Sequence, residues 1–508
     1  MIHWTNAAFK IYYQQRYKIM QRYMQYPHQV QREVLSELLK SARYTEFGKT
    51  YGFKDIKTPK QFAERVPVQD YEAFKPLIRR MMHGEKDILW DGRVRYFAKS
   101  SGTTSAKSKF IPLSRQSLKR CHIRGSWDAM TLMYHNRPDA KIFGSKNMVM
   151  GGSISKFAPH PNTEFGDVSG FMIRSIPHVA RPFFTPDFET ALMAEWEEKL
   201  EKLALAAVNT PGVTMIGGVP TWTVVLFRRM LEISGKSNIL EVWPNFQAYM
   251  HGGVSFTPYR EQFKAFLPSE EVSYQEIYNA SEGNFAAQYD FDEEGLLLFL
   301  NNGIYFEFIP MEEWGQEYPK AIPLAEVETG KHYALVITTN GGLWRYLLGD
   351  TISFVATAPY RIKVTGRTKQ YVNAFGEEVV VENTDKALAY ACEKTGAQVE
   401  DYTVAPIYFG QGDRGGHEWL VEFEKQPEDL EKFRDLLDRQ LQRLNSDYEA
   451  KRYKDIALKK LVIKSLPSGS FHDWLRSKGK YGGQHKVPRL ANNRQYVDEI
   501  LEFLGENV

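Results

Sequence analysis

Ser100-Ser101-Gly102-Thr103-Thr104-Ser105-Ala106-Lys107-Ser108-Lys109 is the stretch on which the reading of this chain turns. An alternating run before it, Val94, Tyr96 and Ala98, predicts a strand, and a helix is predicted after it, from Ser114 to about Tyr134. Hydroxyls, a glycine and exposed backbone N–H groups between strand and helix form an anion cradle, and Lys107 and Lys109 add positive charge. An ordinary polar turn before a helix has the same composition, so the loop alone leaves both readings open. It is not a Walker A loop. The two Gly-Lys-[Ser/Thr] strings, Gly48-Lys49-Thr50 and Gly235-Lys236-Ser237, have Arg43 and Met230 where the upstream glycine is required.

Upstream of the loop, the first ~90 residues read as helices; Val30, Val34, Leu35, Leu38 and Leu39 recur at helical spacing through Gln29–Ala42. Downstream, short buried strands are predicted at Asn147–Met150, Val213–Ile216 and Phe246–His251. Between the first two, a helix capped by Thr185 with Pro186 at its first position is expected. Strands alternating with helices predict an α/β layer with a mostly parallel sheet. Over 295–365 the pattern changes. Leu296–Leu300 and Ile304–Phe308 flank Asn301-Asn302-Gly303, and Tyr333–Thr338 and Leu343–Leu348 flank Thr339–Gly342, which reads as two hairpins in a β-rich subdomain. After Arg367 the pattern is α+β, with helices near Glu382–Lys394 and Pro427–Leu444. The boundary is placed near Lys369, giving domains 1–368 and 369–508.

Composition narrows the class. The chain has 508 residues, 43% hydrophobic and 14% aromatic, enough for a large core in two or three domains. Its 65 basic and 62 acidic residues give a net charge of +3, which offers no field for nucleic acid, and no basic tract suggests a membrane surface. Cys121 and Cys392 stand far apart without metal-ligand spacing, which fits a reduced compartment. Met1–Lys18 has no apolar signal core and no later run approaches a membrane span of about 20 residues, so a soluble cytoplasmic protein is expected. The 12 histidines form no HExxH, and no G-x-S-x-G elbow occurs.

Four further groups of residues carry chemistry. In Tyr278-Asn279-Ala280-Ser281-Glu282-Gly283, a tyrosine face can stack on a purine and a carboxylate can hold Mg²⁺ through phosphate, although a strand end and turn reads the same way. Gly349-Asp350, at the expected end of the strand Trp344–Leu348, offers a carboxylate to ribose hydroxyls, or a strand-ending turn. Gly366-Arg367 with Lys369 and Gly376-Glu377-Glu378, and Lys486-Val487-Pro488-Arg489 after Gly482-Gly483, would singly read as surface charge.

Together, in this order, the groups resemble the auxin-responsive acyl-acid amido synthetases, the Gretchen Hagen family of the adenylate-forming superfamily, and the chain is expected to be a bacterial member. The family's phosphate loop, Ser-Ser-Gly-Thr-[Ser/Thr]-x-Gly-x-x-Lys, is similar to Ser100–Lys109 with Ala106 for the second glycine. Tyr-Gly-x-Ser-Glu is similar to Tyr278–Glu282 with Asn279 for glycine. Tyr-Arg-x-Gly-Asp resembles Tyr346–Asp350 with Leu347 for arginine, and Trp344-Arg345 before it also fits. Ile304–Phe308 and Gln484–Arg489 match as well, so the likeness runs from about Tyr44 to Arg489.

The resemblance implies an adenylate-forming α/β fold like that of luciferase and acyl-CoA synthetases, with a large N-terminal domain and a small mobile C-terminal domain. It implies ATP and Mg²⁺ as cofactors, and a carboxylic acid and an amino acid as partners. Ser100, Ser101, Gly102, Thr103, Thr104 and Lys109 would hold the phosphates. Glu282 would carry Mg²⁺ and Tyr278 would clamp the adenine, with His251-Gly252-Gly253 close by and Ser281 among the nucleotide-binding residues. Asp350 would clamp the ribose, Arg367 would be a further nucleotide-binding residue, Lys369 would be the hinge and Lys486 the catalytic lysine of adenylation. The acyl-pocket pattern of the plant proteins does not continue through Asp167–Arg181 and Gly217–Arg229, which leaves the acid open.

Overall fold

The computed structural model describes residues 2–100, 109–253, 256, 259–314, 316, 319–368, 371–372, 379–407, 415–445, 448–449, 452, 458–479, 486–491 and 493–505. It has two compact units. The first holds the described residues up to 348 together with 352–363; the second holds 349–351 and those from 364 onward. Among the described residues, no helix is long and apolar enough to cross a membrane.

The first unit opens with helices, Ile2–Gln25, Pro27–Ala42 and, after short turns, Pro59–Arg65 and Tyr71–Met82. The last is started by Asp70, whose carboxylate accepts from Glu72 N at 3.0 Å and Ala73 N at 3.4 Å. It buries Tyr71, Phe74, Ile78, Met81 and Met82 along one face.

The main sheet, twelve strands among the described residues and most of them in the first unit, is continuous where the sequence suggested a parallel sheet and a separate β-rich subdomain. Phe184–Thr185, Lys146–Val149, Val213–Gly218, Ala248–Gly252 and Ser273–Ala280 run parallel in that order. The sheet then turns antiparallel through Gly283–Gln288, Leu296–Leu298 and Tyr360–Arg367. It continues through Tyr346–Thr357, His332–Thr339, Ile304–Pro310 and Ile322–Pro323. The expected hairpin at Thr339–Gly342 is present, since His332–Thr339 and Tyr346–Thr357 are neighbours.

Four expectations are corrected. The turn Asn301–Gly303 does not close a hairpin: Leu296–Leu298 pairs with Gly283–Gln288, and Ile304–Pro310 pairs with His332–Thr339. Gln31 stands in for the missing ladder. Its amide nitrogen reaches Leu300 O and Ile304 O, each at 2.9 Å, and its oxygen accepts from Phe306 N at 2.9 Å.

The helix expected from Thr185 is also different. Phe184–Thr185 is a strand, Asp187 caps the short helix Phe188–Ala191 by accepting from Thr190 N at 2.9 Å, and a second helix, Trp196–Val208, starts after Glu195.

The loop after Ser100 leads into a strand, Lys109–Leu113, and not directly into a helix. Tyr96–Ser100 and Lys109–Leu113 pair antiparallel, with Ser100 opposite Lys109. The helical run starts where the sequence places it, at Ser114, which accepts from Ser117 N at 2.9 Å, and runs to Asn136. The cradle therefore has two strands for its frame and no helix N-terminus at its end. Finally, Asp350 sits inside a strand, Tyr346–Thr357, that continues beyond it.

In the second unit, Gln398–Ile407 and Gly416–Lys425 pair antiparallel, and Val462–Leu466 joins the latter in parallel. Helices Val381–Thr395 and Leu430–Leu444 cover a core that includes Tyr402, Trp419, Phe433, Leu437 and Leu441. Asp429 starts the second of these helices by accepting from Lys432 N at 3.0 Å.

Candidate active site

Ser101, Gly102, Thr103 and Thr104 lie outside the described residues, as do Lys369, Gly376–Glu378 and Gln484-His485. What the first unit shows is the frame of the loop. Ser100 and Lys109 are its directly opposed ends. Phe110 N donates to the Tyr71 phenol oxygen at 2.9 Å, and the Lys109 ammonium stands 5.6 Å from the centre of the Tyr71 ring.

Glu282 occupies the tight turn between Ser273–Ala280 and Gly283–Gln288. It is nearly sealed, 8% exposed, and accepts from the Tyr346 hydroxyl at 3.4 Å, a long contact for an O–H donor. Behind the turn, Cys121 Sγ accepts from Asn284 N at 3.3 Å. A β-carbon on Gly283 would fall 2.6 Å from Ile304 Cδ1, so this position has no room for a side chain. The Tyr71 phenol also feels the charge of Glu282, which ties the loop exit and the carboxylate to one neighbourhood.

The remaining sequence candidates in this unit are placed differently. Tyr278 is buried within its strand, with its ring 4.9 Å from Phe285. Ser281 is half-buried. Gly252 is required by packing, because a β-carbon would meet the Ile277 carbonyl oxygen at 2.3 Å; Gly253, exposed, has φ +81°. His251 beside them is buried and stacks on Phe256 at 4.2 Å. Burial first, and Arg260 second, pull its pKa down to about 3, so it is neutral at physiological pH.

The second unit gathers Asp350, Arg367 and Lys486. Arg367 Nε is 3.1 Å from Asp350 Oδ1, and Thr368 N donates to Gly349 O at 2.8 Å. Lys486 is half-buried. Burial first, then Arg367 and Arg489, bring it down to about 7, against the opposing pull of Asp401 and Asp350. The chain here is zipped onto Gln398–Ile407: Thr403 donates to Pro488 O at 2.6 Å, and Val404 N to Arg489 O at 2.9 Å. Arg489 pairs with Asp401 at 3.2 Å and lies over the Tyr402 ring at 4.4 Å.

Tyr71 and Asp401 stand in these contacts although sequence reading did not single them out. Asp70-Tyr71-Glu72 announces a helix start, but nothing in that signal shows that the tyrosine faces residues forty and two hundred positions away.

The fold is one also found in solved acyl-CoA ligases and acyl acid amido synthetases. A 2-hydroxyisobutyryl-CoA ligase superposes with a TM-score of 0.60 at 12% identity, covering 94% of this chain and 91% of that one. The chain belongs to the GH3 family. Models of the GH3 family N-terminal domain match residues 16–217 and 166–272, of the central domain 297–367 and of the C-terminal domain 382–495. The chain is 25% identical to the indole-3-acetic acid-amido synthetase GH3.3 of Arabidopsis thaliana, over 94% of this chain and 91% of that protein. The GH3.15 acyl acid amido synthetase has the same fold, with a TM-score of 0.76, 17% identity and 93% of each chain covered.

Proposed function

We propose that this chain is an ATP-dependent acyl-acid amido synthetase. A carboxylate oxygen of a small acid bonds to the α-phosphorus of ATP as the bond to pyrophosphate breaks. The amine of an amino acid then attacks the acyl carbonyl, losing a proton, and AMP leaves. No enzyme nucleophile is needed, because the phosphate already activates the carbonyl. The site's task is to bring two anions together, so neutralisation of charge carries the rate.

The observation that carries this reading is the loop framed by Ser100 and Lys109, with Tyr71 at its exit and with Tyr346, bridged to Gln69, on the Glu282 carboxylate, in a GH3-family chain. Ser101, Thr103 and Thr104 would hold the phosphates with Lys109. Asp350 would receive the ribose hydroxyls and Lys486 would meet the carboxylate and α-phosphate during adenylation. Gly252, Gly253, Tyr278 and Ser281 remain the residues proposed around the base. The domain division near Lys369 and the hinge role of that lysine belong to the same proposal.

Glu282 would hold a Mg²⁺ that comes with the triphosphate. Among the described residues there is no cluster of three His, Cys, Asp or Glu side chains that would cage a metal. One carboxylate suits an ion that arrives with the phosphates and keeps its waters. When bound, Mg²⁺ would supply positive charge to the phosphates.

The experiment is a screen of acids against amino acids and CoA with mass spectrometry of the products. Acyl-amino acids with AMP are expected, and acyl-CoA alone would overturn the acceptor. Lys486→Ala should abolish acid-dependent pyrophosphate exchange while ATP still binds; normal exchange in that variant would remove the role given to Lys486.

A further inference from the structure

Tyr71 and Tyr346 belong to two segments that are laced together. Gln69 N donates to Arg345 O at 3.0 Å and Leu347 N to Gln69 O at 2.8 Å, so Gln69–Tyr71 and Arg345–Leu347 form one short parallel bridge. From this bridge two phenols reach the two halves of the phosphate machinery.

The need for each phenol follows from its surroundings. Among the described residues Lys109–Leu113 is an edge strand of a four-stranded sheet, and no described strand takes the outward N–H of Phe110. The Tyr71 oxygen accepts it, and the ring of the same residue carries the Lys109 ammonium on its face. Tyr71 is only 7% exposed, so the ring has no freedom to swing away. Tyr346 is wholly buried and its hydroxyl must find an acceptor; that acceptor is Glu282. A phenol keeps its proton at neutral pH, so Tyr346 is the donor to Glu282.

We infer that Tyr71 and Tyr346 are positioning residues of the nucleotide site, one setting the exit of the Ser100–Lys109 loop and the other orienting the Glu282 carboxylate toward a metal-bound triphosphate. This rests on the proposed function. Because both phenols stand on one laced pair of segments, the strand Lys109–Leu113 and the Glu282 turn are tied to the same support. Neither tyrosine touches the reacting atoms.

The test uses the full-length protein with Tyr71→Phe and Tyr346→Phe, each of which keeps the ring and removes only the oxygen. Tyr346→Phe should raise the Mg²⁺ concentration for half-maximal pyrophosphate exchange by about tenfold, and Tyr71→Phe should raise the KM for ATP by a similar factor. The kcat at saturation and the melting temperature should move little. A second reading needs no acid: Mn²⁺ binding in the presence of ATP, followed by electron paramagnetic resonance, should weaken in Tyr346→Phe. Wild-type Mg²⁺ and ATP dependence with unchanged Mn²⁺·ATP affinity in both variants would overturn the inference. A wild-type protein that exchanges pyrophosphate with no acid, yet loses Mn²⁺·ATP affinity in Tyr346→Phe, would sink the function and leave the positioning role standing. Should one variant melt early, the other, on a separate element, decides.

Discussion

The Arg345 guanidinium forks onto both oxygens of the Glu307 carboxylate, with Nε at 3.1 and 3.0 Å and both side chains almost sealed from water. Its Nη1 also donates to Ala63 O at 2.9 Å and Val66 O at 2.7 Å, the carbonyls at the end of helix Pro59–Arg65. Arg345 adopts φ +42°, a left-handed conformation that non-glycine residues rarely hold, so its contacts must outweigh local strain. They place Tyr346, the next residue, under Glu282.

Arg345→Met should therefore destabilise the protein by about 3–5 kcal/mol, because it strands a buried carboxylate. Urea titration of the single variant and of the Arg345→Met/Glu307→Met double variant measures this. The double variant should regain most of the loss. A single variant within about 0.5 kcal/mol of wild type would show that the pair does not hold this corner.

Asp350→Asn separates a folding role from a binding role. The Arg367 side chain is 45% exposed, so the ion pair contributes little to stability and the melting curve should stay near that of wild type. ATP affinity by calorimetry should fall roughly tenfold to a hundredfold, the worth of hydrogen bonds to a charged acceptor. Unchanged affinity would remove Asp350 from the nucleotide site.

Gly252 tests whether a glycine near the candidate site is there for the ligand or for the fold. A β-carbon would press on the Ile277 carbonyl oxygen at 2.3 Å, and backbone cannot step aside cheaply. Gly252→Ala should lower stability by about 1–3 kcal/mol without any ligand present. An unaltered melting temperature together with weakened ATP binding would assign the glycine to the nucleotide.

Lys199 gives a pH signature. It is buried and donates to Gly151 O and to Met193 O (3.2 Å), and burial lowers it to about 8 despite the nearby Asp167. Below pH 8 both folded and unfolded chains carry its proton, so its contribution is constant. Between about 8 and the ordinary lysine value of 10.5 the unfolded chain alone holds the proton, and stability rises with pH. The slope should approach about 1.4 kcal/mol per pH unit from this group. Denaturant titrations from pH 7.5 to 10 should show a flatter profile for Lys199→Met than for wild type; equal slopes would place the lysine in water.

Much of the fold was legible because its signals are local. The apolar spacing of helices depends on neighbours three or four residues apart, and helices lie at Gln29–Ala42, Glu382–Lys394 and, from Leu430, within Pro427–Leu444. The failures share a different cause. Asn301-Asn302-Gly303 has the composition of a hairpin turn, yet Gln31, 270 positions earlier, takes the carbonyls and N–H that a hairpin ladder would use. Thr185-Pro186 has a helix-start signature, yet Thr185 is claimed by pairing with Met148 and the start passes to Asp187.

By itself the sequence determined the chemistry available: a hydroxyl-rich loop from Ser100 to Lys109, single acidic groups at Glu282 and Asp350, and Lys486 near the C-terminus, in an order that resembles one family. Side-chain type and spacing suffice for that, because they are properties of the chain. Only the tertiary structure decided that strands frame the loop on both sides and that Tyr71 and Tyr346 serve its exit and the Glu282 carboxylate. An edge-strand N–H and a buried hydroxyl each need a partner, and which residue answers depends on what packing brings within about 3 Å, not on distance along the chain.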